Sequence, residues 1–364
     1  MAKSNKKKKK IKRINNTSNS QKRKKRSTNK DNKQVALNIV NDASIYNEHR
    51  NVFCYFKSII SNKYYLVYIN ENKSSIIWYD ILNKQKINSI IIKLPVATIR
   101  HFCDEKNKRD LIMTIHYDNA IKVFNIFNCE CILEINNINV NEGDIDSACF
   151  INDNNTIYIA TSEYKFEKFE HGNCDPIKIF DLTGTKIKEI NNSNEATYTV
   201  DCYYDKKLSK IFLITNNDYH IKSYDFYENK LYHKYMNSSS IKYMTSGGFI
   251  YDNEDIIKLV EPDNCGNLKF WNFHTGDLMK IINIGIEHLD DICFWNNNLL
   301  FISTFEEGLI LYDINKEKCI QKYKVNGKII AIRKIIHPEF GECILTHYHG
   351  ASPIQLWKQS SLNI

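Results

Sequence analysis

The sequence lacks any segment suited to crossing or entering a membrane. No run approaches 18 apolar residues, and the basic N-terminal end is not followed by an apolar stretch of the signal-peptide kind. A basic arm alone also holds a bilayer weakly. A secreted or membrane-spanning protein is therefore disfavoured, and no membrane partner is expected.

Paired metal-binding or disulfide motifs are missing as well. The 11 cysteines are an odd number, spread along the chain without a C-x-x-C pair, which is typical of reduced thiols in an intracellular protein. Cys129 and Cys131 form a lone C-x-C with no second Cys or His pair at a zinc-site spacing. His337, His347 and His349 have no supporting carboxylate or Cys nearby in sequence. We therefore expect neither a metal nor a cofactor.

Catalytic motifs of the common classes are absent. The chain has no G-x-S-x-G, no Walker loop and no H-E-x-x-H. An enzyme would need carboxylates or histidines that converge in the fold, and no spacing in the sequence requires this. No catalytic residue is assigned, and an enzyme is not expected.

Acidic residues are nearly missing from the first 33 residues, which hold 15 Lys and Arg and one Asp. The rest of the chain has 35 basic and 41 acidic residues, which excludes a protein coated in positive charge for nucleic acid. Only Ile11 and Ile14 are sizeable apolar residues in this segment, so it cannot offset the entropy cost of folding. Residues 1–34 are predicted to be a disordered basic arm.

Two basic clusters in the arm are separated by eight residues. Import receptors bind clustered Lys and Arg on an extended chain, so one interpretation is a two-part nuclear signal and a nuclear or nucleolar protein. The alternatives are phosphate contacts with RNA, which carry no base readout, or a solvated tail in a cytoplasmic protein. The nuclear-signal candidates are Lys6, Lys7, Lys8, Lys9, Lys10, Lys12, Arg13, Lys22, Arg23, Lys24, Lys25 and Arg26.

From about residue 35 the chain consists of short runs rich in Ile, Val, Phe and Tyr, separated by Asn, Asp and Gly clusters, which is typical of many short strands. One pattern recurs, in which apolar residues lead to an aromatic residue and then Asp or Asn. The copies are IIWYD (76–80), IKVFN (121–125), IKIFD (177–181), IKSYD (221–225), LKFWN (268–272), LILYD (309–313) and, without the acid, IQLWK (354–358). Their last residues lie 45, 56, 44, 47, 41 and 45 positions apart. A period near 45 with one insertion follows.

Each period contains companion strands around this pattern. Two precede it, such as ATIRHFC (97–103) and LIMTIHY (111–117), and one follows, such as CILEI (131–135). Four short antiparallel strands per period make one propeller blade. Residues 35–364 are therefore predicted to form an all-β, seven-bladed propeller.

The repeats resemble the WD40 family, and in particular its divergent, Asn- and Lys-rich protist-type members. The family's Trp-Asp dipeptide is degenerate here, because no copy keeps both residues. The resemblance implies structural roles for Asp80, Asp118, Asp181, Asp218, Asp225, Trp271, Asp313 and Trp357. The family's Gly-His dipeptide is absent, so the His-Asp-Ser-Trp network that staples each blade is expected to be incomplete.

The seventh blade lacks a fourth strand after residues 354–358. The apolar segment VALNIV at 35–40 is otherwise unassigned. We expect it to supply the outer strand of the last blade and so close the ring.

The insertion in the third period follows TIYIATS (156–162) and contains Tyr164, Phe166 and Phe169 between charged residues. These aromatics could form an exposed contact for a partner protein, because aromatic residues dominate interface energetics. The alternative is a longer hairpin whose aromatic side chains pack on their own blade. Both interpretations stay open at this point.

Together these features indicate a noncatalytic scaffold for protein–protein assembly, with one or more protein partners and an import receptor bound by the arm. The alternative is an RNA-associated assembly factor, in which the arm contacts phosphates and the propeller binds protein.

Overall fold

The computed structural model describes residues 37–40, 53–70, 75–116, 120–136, 144–164, 176–191, 197–217, 220–236, 249–252, 257–263, 265–304, 306–325, 327–348 and 354–358. These residues form 28 β-strands and connecting turns. No helix able to span a membrane occurs in this part of the chain.

The strands form seven four-stranded antiparallel sheets, or blades. Blade 1 contains β2 (Phe53–Lys57), β3 (Tyr64–Ile69), β4 (Ser75–Asp80) and β5 (Gln85–Ile91). Blade 2 contains β6 (Val96–Asp104), β7 (Arg109–His116), β8 (Ile121–Asn125) and β9 (Cys131–Ile135). Blade 3 contains β10 (Asp144–Asp153), β11 (Thr156–Tyr164), β12 (Ile177–Asp181) and β13 (Lys186–Ile190). Blade 4 contains β14 (Thr197–Asp205), β15 (Lys210–Asn217), β16 (Ile221–Asp225) and β17 (Lys230–Tyr235).

The remaining three blades complete the ring. Blade 5 contains β18 (Phe249–Asp252), β19 (Ile257–Pro262), β20 (Asn267–Asn272) and β21 (Leu278–Asn283). Blade 6 contains β22 (Leu289–Phe294), β23 (Leu299–Thr304), β24 (Gly308–Asp313) and β25 (Lys318–Tyr323). Blade 7 contains β26 (Ile329–His337), β27 (Gly341–Tyr348), β28 (Ile354–Lys358) and β1 (Leu37–Val40).

Every copy of the recurring pattern lies in the third strand of its blade. The seven-bladed, all-β fold predicted from the sequence is therefore confirmed. In blades 1 to 6 a bulge follows the third residue of the pattern, between the third and fourth strands. Bulges of this kind increase the local twist of a sheet, as propeller blades require.

Strand β1 closes the ring by pairing with β28. Leu37 lies opposite Leu356, and Val40 lies opposite Ile354. β1 falls within 35–40, where the closing strand is predicted. Blade 7 thus combines strands from both ends of the described chain, which leaves β28 paired on both edges.

The core lies between the blades. Seven buried apolar clusters each combine side chains from two neighbouring blades, including the pair formed by blades 7 and 1. In the cluster between blades 1 and 2, for example, Val67 and Trp78 pack with Ile99 and Ile112. The second strands are consequently buried on both faces, and seven of the eight residues of β7 are buried. This explains the continuous apolar runs in the sequence.

Candidate interaction surfaces

One rim of the ring carries the turns that join the first strand to the second and the third strand to the fourth. In an antiparallel order of strands these two turns lie at the same end of the blade. We call this end the turn rim.

The last residue of the recurring pattern caps the turn between the third and fourth strands. In blade 4, Asp225 accepts hydrogen bonds of 2.9 Å from the backbone N–H groups of Tyr227 and Glu228. Side-chain oxygens of this kind fix a turn by pairing its free N–H groups. The same role is filled by Asp80, Asn125, Asp181, Asn272 and Asp313. The repeated acid or amide is thus placed as a structural group of the turn rim.

Trp271 and Trp357 keep the tryptophan of the family's Trp-Asp dipeptide. Both lie in third strands, and each donates one hydrogen bond to a side chain in the second strand of its blade. In blade 7, Trp357 Nε1 donates to Thr346 Oγ1 at 2.9 Å. In blade 5, Trp271 Nε1 donates to Glu261 Oε2 at 3.0 Å. Asp118 and Asp218, which the resemblance places in tight turns, lie outside the described residues.

Blade 5 extends this bond into a buried ionic network. Lys269 Nζ lies 3.4 Å from Glu261 Oε1 and 3.5 Å from Asp263 Oδ2. Asp263 also accepts from the backbone N–H groups of Cys265 and Asn267 at 3.0 and 2.9 Å. Burial raises the pKa of Glu261, although Lys269 partly opposes the shift. Asp263 therefore caps the turn between the second and third strands of blade 5.

Polar bridges connect turns of neighbouring blades along the turn rim. Tyr227 of blade 4 donates its hydroxyl to Asp153 of blade 3 at 2.8 Å. His274 Nε2 of blade 5 lies 2.9 Å from Asp205 Oδ2 of blade 4. These bridges join adjacent blades, whereas the expected family network would act within one blade. The turn rim is consequently fixed both within and between blades.

Ser58, Asp110 and His101 form a third bridge, between blades 1 and 2. Ser58 Oγ donates to Asp110 Oδ2 at 2.7 Å, and His101 Nε2 lies 2.9 Å from Asp110 Oδ1. In a nucleophilic triad the imidazole lies between the hydroxyl and the carboxylate. Here the carboxylate lies between them, so the imidazole is not placed to activate the serine.

The first strands of neighbouring blades contact each other between blades 1 and 2, 2 and 3, 3 and 4, and 6 and 7, and so lie toward the ring axis. Strand pairing defines one equivalent position in the first strand of each blade. The residue at this position pairs with a residue of the second strand, which in turn pairs with the third residue of the recurring pattern. These seven positions are Cys54, Arg100, Cys149, Asp201, Phe249, Cys293 and Arg333. Local sequence gave no signal for this inner ring, because its members are separated by whole repeats.

Two ion pairs involve arginines of the inner ring. Arg100 of blade 2 bonds Asp201 of blade 4 at 2.9 Å and so spans blade 3. Arg333 of blade 7 bonds Asp291 of blade 6 at 2.8 Å. Asp291 also accepts from the backbone N–H of Ile332 at 2.8 Å, which pairs a donor on the inner edge of β26. The two arginines and the two aspartates of these pairs together carry no net charge.

The three thiols of the inner ring, and Cys202 beside Asp201, are poor nucleophiles. Burial, and secondarily Asp201, raises the pKa of Cys202 to about 12. Burial raises the pKa of Cys293 to about 11, and it also raises the pKa values of Cys54 and Cys149. A thiol with a raised pKa is protonated and unreactive at neutral pH.

Other residues considered from the sequence are dispersed. His337 stacks on Phe340 with ring centroids 4.5 Å apart, and His347 lies against Phe53. Within the described ranges no group of three or more His, Cys, Asp or Glu side chains is arranged to hold a metal ion. Tyr164 ends β11, whereas Phe166, Phe169, His349 and all the nuclear-signal candidates lie outside the described residues.

Removal of one turn cap tests the role of the repeated acid. Asp80 accepts from the backbone N–H and side-chain amide of Asn83 at 3.0 and 2.7 Å. We expect Asp80→Ala to lower the free energy of unfolding by about 1–2 kcal/mol. Asp80→Asn should cost less than half as much, because Asn125 and Asn272 fill the same role. Chemical denaturation would measure both, and equal losses would contradict a capping role.

The Asp80 cap also predicts a pH dependence. Burial alone would raise the pKa of Asp80, but hydrogen bonds from Asn83 and the nearby Lys63 ammonium outweigh it, and the pKa is lowered. The carboxylate therefore stabilises the fold above its unfolded pKa of about 3.9, and this contribution is lost as pH falls through the folded value. The stability difference between the wild type and Asp80→Asn should shrink in acid.

Comparison with known proteins supports the architecture. No protein-family model matches the sequence, and no curated protein matches it. Crystal structures of BBS1N in complex with ARL6DN have a similar fold. The form soaked with lead gives a TM-score of 0.60 at 9% identity, over 87% of this chain and 93% of that chain. The form soaked with mercury gives 0.61 at 10%, over the same fractions. At these identities the similarity establishes the propeller fold alone.

Proposed function

We propose that this protein is a noncatalytic scaffold of the WD40-repeat type, which binds other proteins on the surfaces of its ring. The observation that carries the proposal is the turn rim, where capped and bridged turns present large apolar side chains to solvent. Exposed examples are Ile59, Ile60, Leu82, Phe127, Tyr204, Leu208 and Tyr227.

The fixed turns favour binding because little order must be gained when a partner arrives. Tyr227 illustrates the arrangement, since its hydroxyl is held by Asp153 and its backbone N–H by Asp225 while the ring is exposed. A side chain held in place before binding loses less conformational entropy on association. Exposed apolar groups on a rigid surface are typical of interaction sites.

A structural neighbour adds support. The similar BBS1N propeller was solved in complex with a protein, ARL6DN. From that neighbour we infer for this chain only that its propeller serves as a platform for binding proteins. Partners of this chain are proposed to be proteins whose identity must be found by experiment.

For the basic arm we propose nuclear import, because its two clusters have the composition that import receptors bind. A fluorescently tagged chain without residues 1–33 should lose nuclear accumulation and keep the melting temperature of the full chain. An unchanged distribution of the deletion variant would remove the proposal.

The second candidate is an RNA-associated assembly factor, favoured only by the 15 basic residues of the arm. Salt separates the two functions, because RNA held by lysines is released steeply as ionic strength rises. Complexes captured on the full chain should be washed at low and at physiological salt, with and without ribonuclease. Retention of the protein partners throughout supports the scaffold, and their loss with the RNA supports the alternative.

A further inference from the structure

Exposed large apolar side chains are concentrated on two blades. The described chain has nineteen, of which blades 1 and 4 carry six each, blade 5 three and every other blade one. The blade 1 set runs from the turn rim along the outer strand and into the connection to blade 2. We call it the blade 1 face, and it comprises Ile59, Ile60, Leu82, Ile87, Ile91 and Leu94.

The backbone beneath this face also has a free edge. β5 is the outermost strand of blade 1 and pairs only with β4. With seven residues it is the longest of the outer strands. Ile91 at its end is 84% exposed. A long, apolar outer strand is a template on which another strand can pair.

Charge distinguishes the blade 1 face from the exposed apolar residues of blade 4. Described residues 53–70 and 75–95 contain five lysines, namely Lys57, Lys63, Lys84, Lys86 and Lys93, and a single acid, Asp80. The Asp80 side chain is fully buried and serves as the turn cap. In the described part of blade 1 the exposed charges are therefore all positive.

Blade 4 has the same number of exposed apolar residues without this charge bias. At its turn rim Glu228 lies 2.9 Å from Lys210 and 2.5 Å from Lys230. Acidic and basic groups thus compensate each other locally. Blade 4 provides a natural comparison, because its apolar exposure matches that of blade 1 and its charge does not.

Resting on the proposed scaffold function, we propose that the blade 1 face docks an acidic, amphipathic segment of a partner protein, laid along the free edge of β5. Apolar side chains of the segment would cover the isoleucines, and its carboxylates would approach the lysines. The seven residues of β5 extend about 20 Å away from the turn rim. A flat bilayer lying across the turn rim would contact Ile59, Ile60 and Leu82 but leave Ile91 about 20 Å away, so the shape favours a linear ligand.

The test uses the full chain and a library of random peptides of about twelve residues displayed on phage, a length that can follow β5 and its flanking turns. Enriched peptides should carry net negative charge with two or more large apolar residues. Their affinities would then be measured by fluorescence anisotropy on the wild type and on two variants. Enrichment of neutral or basic peptides would overturn the proposal.

The blade 1 variant combines Lys86→Glu, Lys93→Glu and Ile91→Ser. The matched blade 4 variant combines Lys206→Glu, Lys207→Glu and Leu231→Ser, which makes the same change of charge and replaces one exposed aliphatic residue by serine. We expect the blade 1 variant to bind the acidic peptides at least about tenfold more weakly and the blade 4 variant to change by less than about twofold. Equal effects in the two variants would contradict docking on blade 1.

Further controls keep the outcome decisive. Both variants should melt within about 2 °C of the wild type, and Lys86→Glu alone replaces the triple variant if that one unfolds. Two results would assign the face to another occupant and overturn the proposal: phosphatidylcholine–phosphatidylserine vesicles that bind the wild type but not the variant, or a wild-type dimer that the variant loses in sedimentation. If no acidic peptide is enriched while the full chain still captures proteins, the docking site fails and the scaffold function stands.

Discussion

Deletion of residues 1–40 should lower the melting temperature by about 5–10 °C, whereas deletion of residues 1–33 should leave it nearly unchanged. The longer deletion removes β1, and with it the antiparallel pairing of Leu37 and Asn38 with Leu356 and Gln355. Each lost backbone hydrogen bond costs about 0.5–1.5 kcal/mol. Deletion of β1 also leaves β28 as the outer strand of blade 7, with an unpaired edge that can pair with other chains.

The comparison of the two truncations isolates the closing strand from the arm. Differential scanning calorimetry of both variants would measure the shift, and light scattering on heating would report association through the free edge of β28. Equal melting temperatures for the two truncations would mean that pairing with β1 does not stabilise blade 7.

Replacement of Asp291 by Ala should be the most damaging single substitution among the four charges of the two ion pairs that involve the inner ring. Asp291 is 2% exposed, and its carboxylate pairs both the Arg333 guanidinium and the backbone N–H of Ile332. Without it a buried backbone donor and a cation lose their acceptor. We expect a loss of about 2–4 kcal/mol, less than for a fully buried pair because the Arg333 side chain is 36% exposed.

Asp201→Ala is the matched control for this substitution. Asp201 also pairs with an arginine of the inner ring, but its side chain is 48% exposed. Solvent screens such a pair, so we expect a cost below about 1 kcal/mol. Urea denaturation of both variants would give the free energies, and a larger loss for Asp201→Ala would contradict the roles assigned to the two pairs.

The fold could be predicted because its determinants are local and repeated. The Asp or Asn that ends each third strand caps the next turn within a few residues, as Asp225 does, so the feature recurs once per blade. The closing segment at 35–40 could be predicted because the last repeat lacked an outer strand. Both inferences needed only spacing along the chain.

The interaction surfaces could not be predicted in the same way. Arg100 and Asp201 are 101 positions apart and meet only when the ring is formed. The apolar residues of β5 are like those of other strands in composition, and only the sheet order reveals that this strand has a free edge. Each of these features depends on contacts between distant segments.

Affinity capture followed by mass spectrometry, performed with the full chain and with a chain lacking residues 1–33, tests the central claim most directly. If the protein is a scaffold, the truncated chain should capture the same protein partners as the full chain, apart from import receptors. Loss of the whole partner set with the arm would contradict the scaffold function of the propeller.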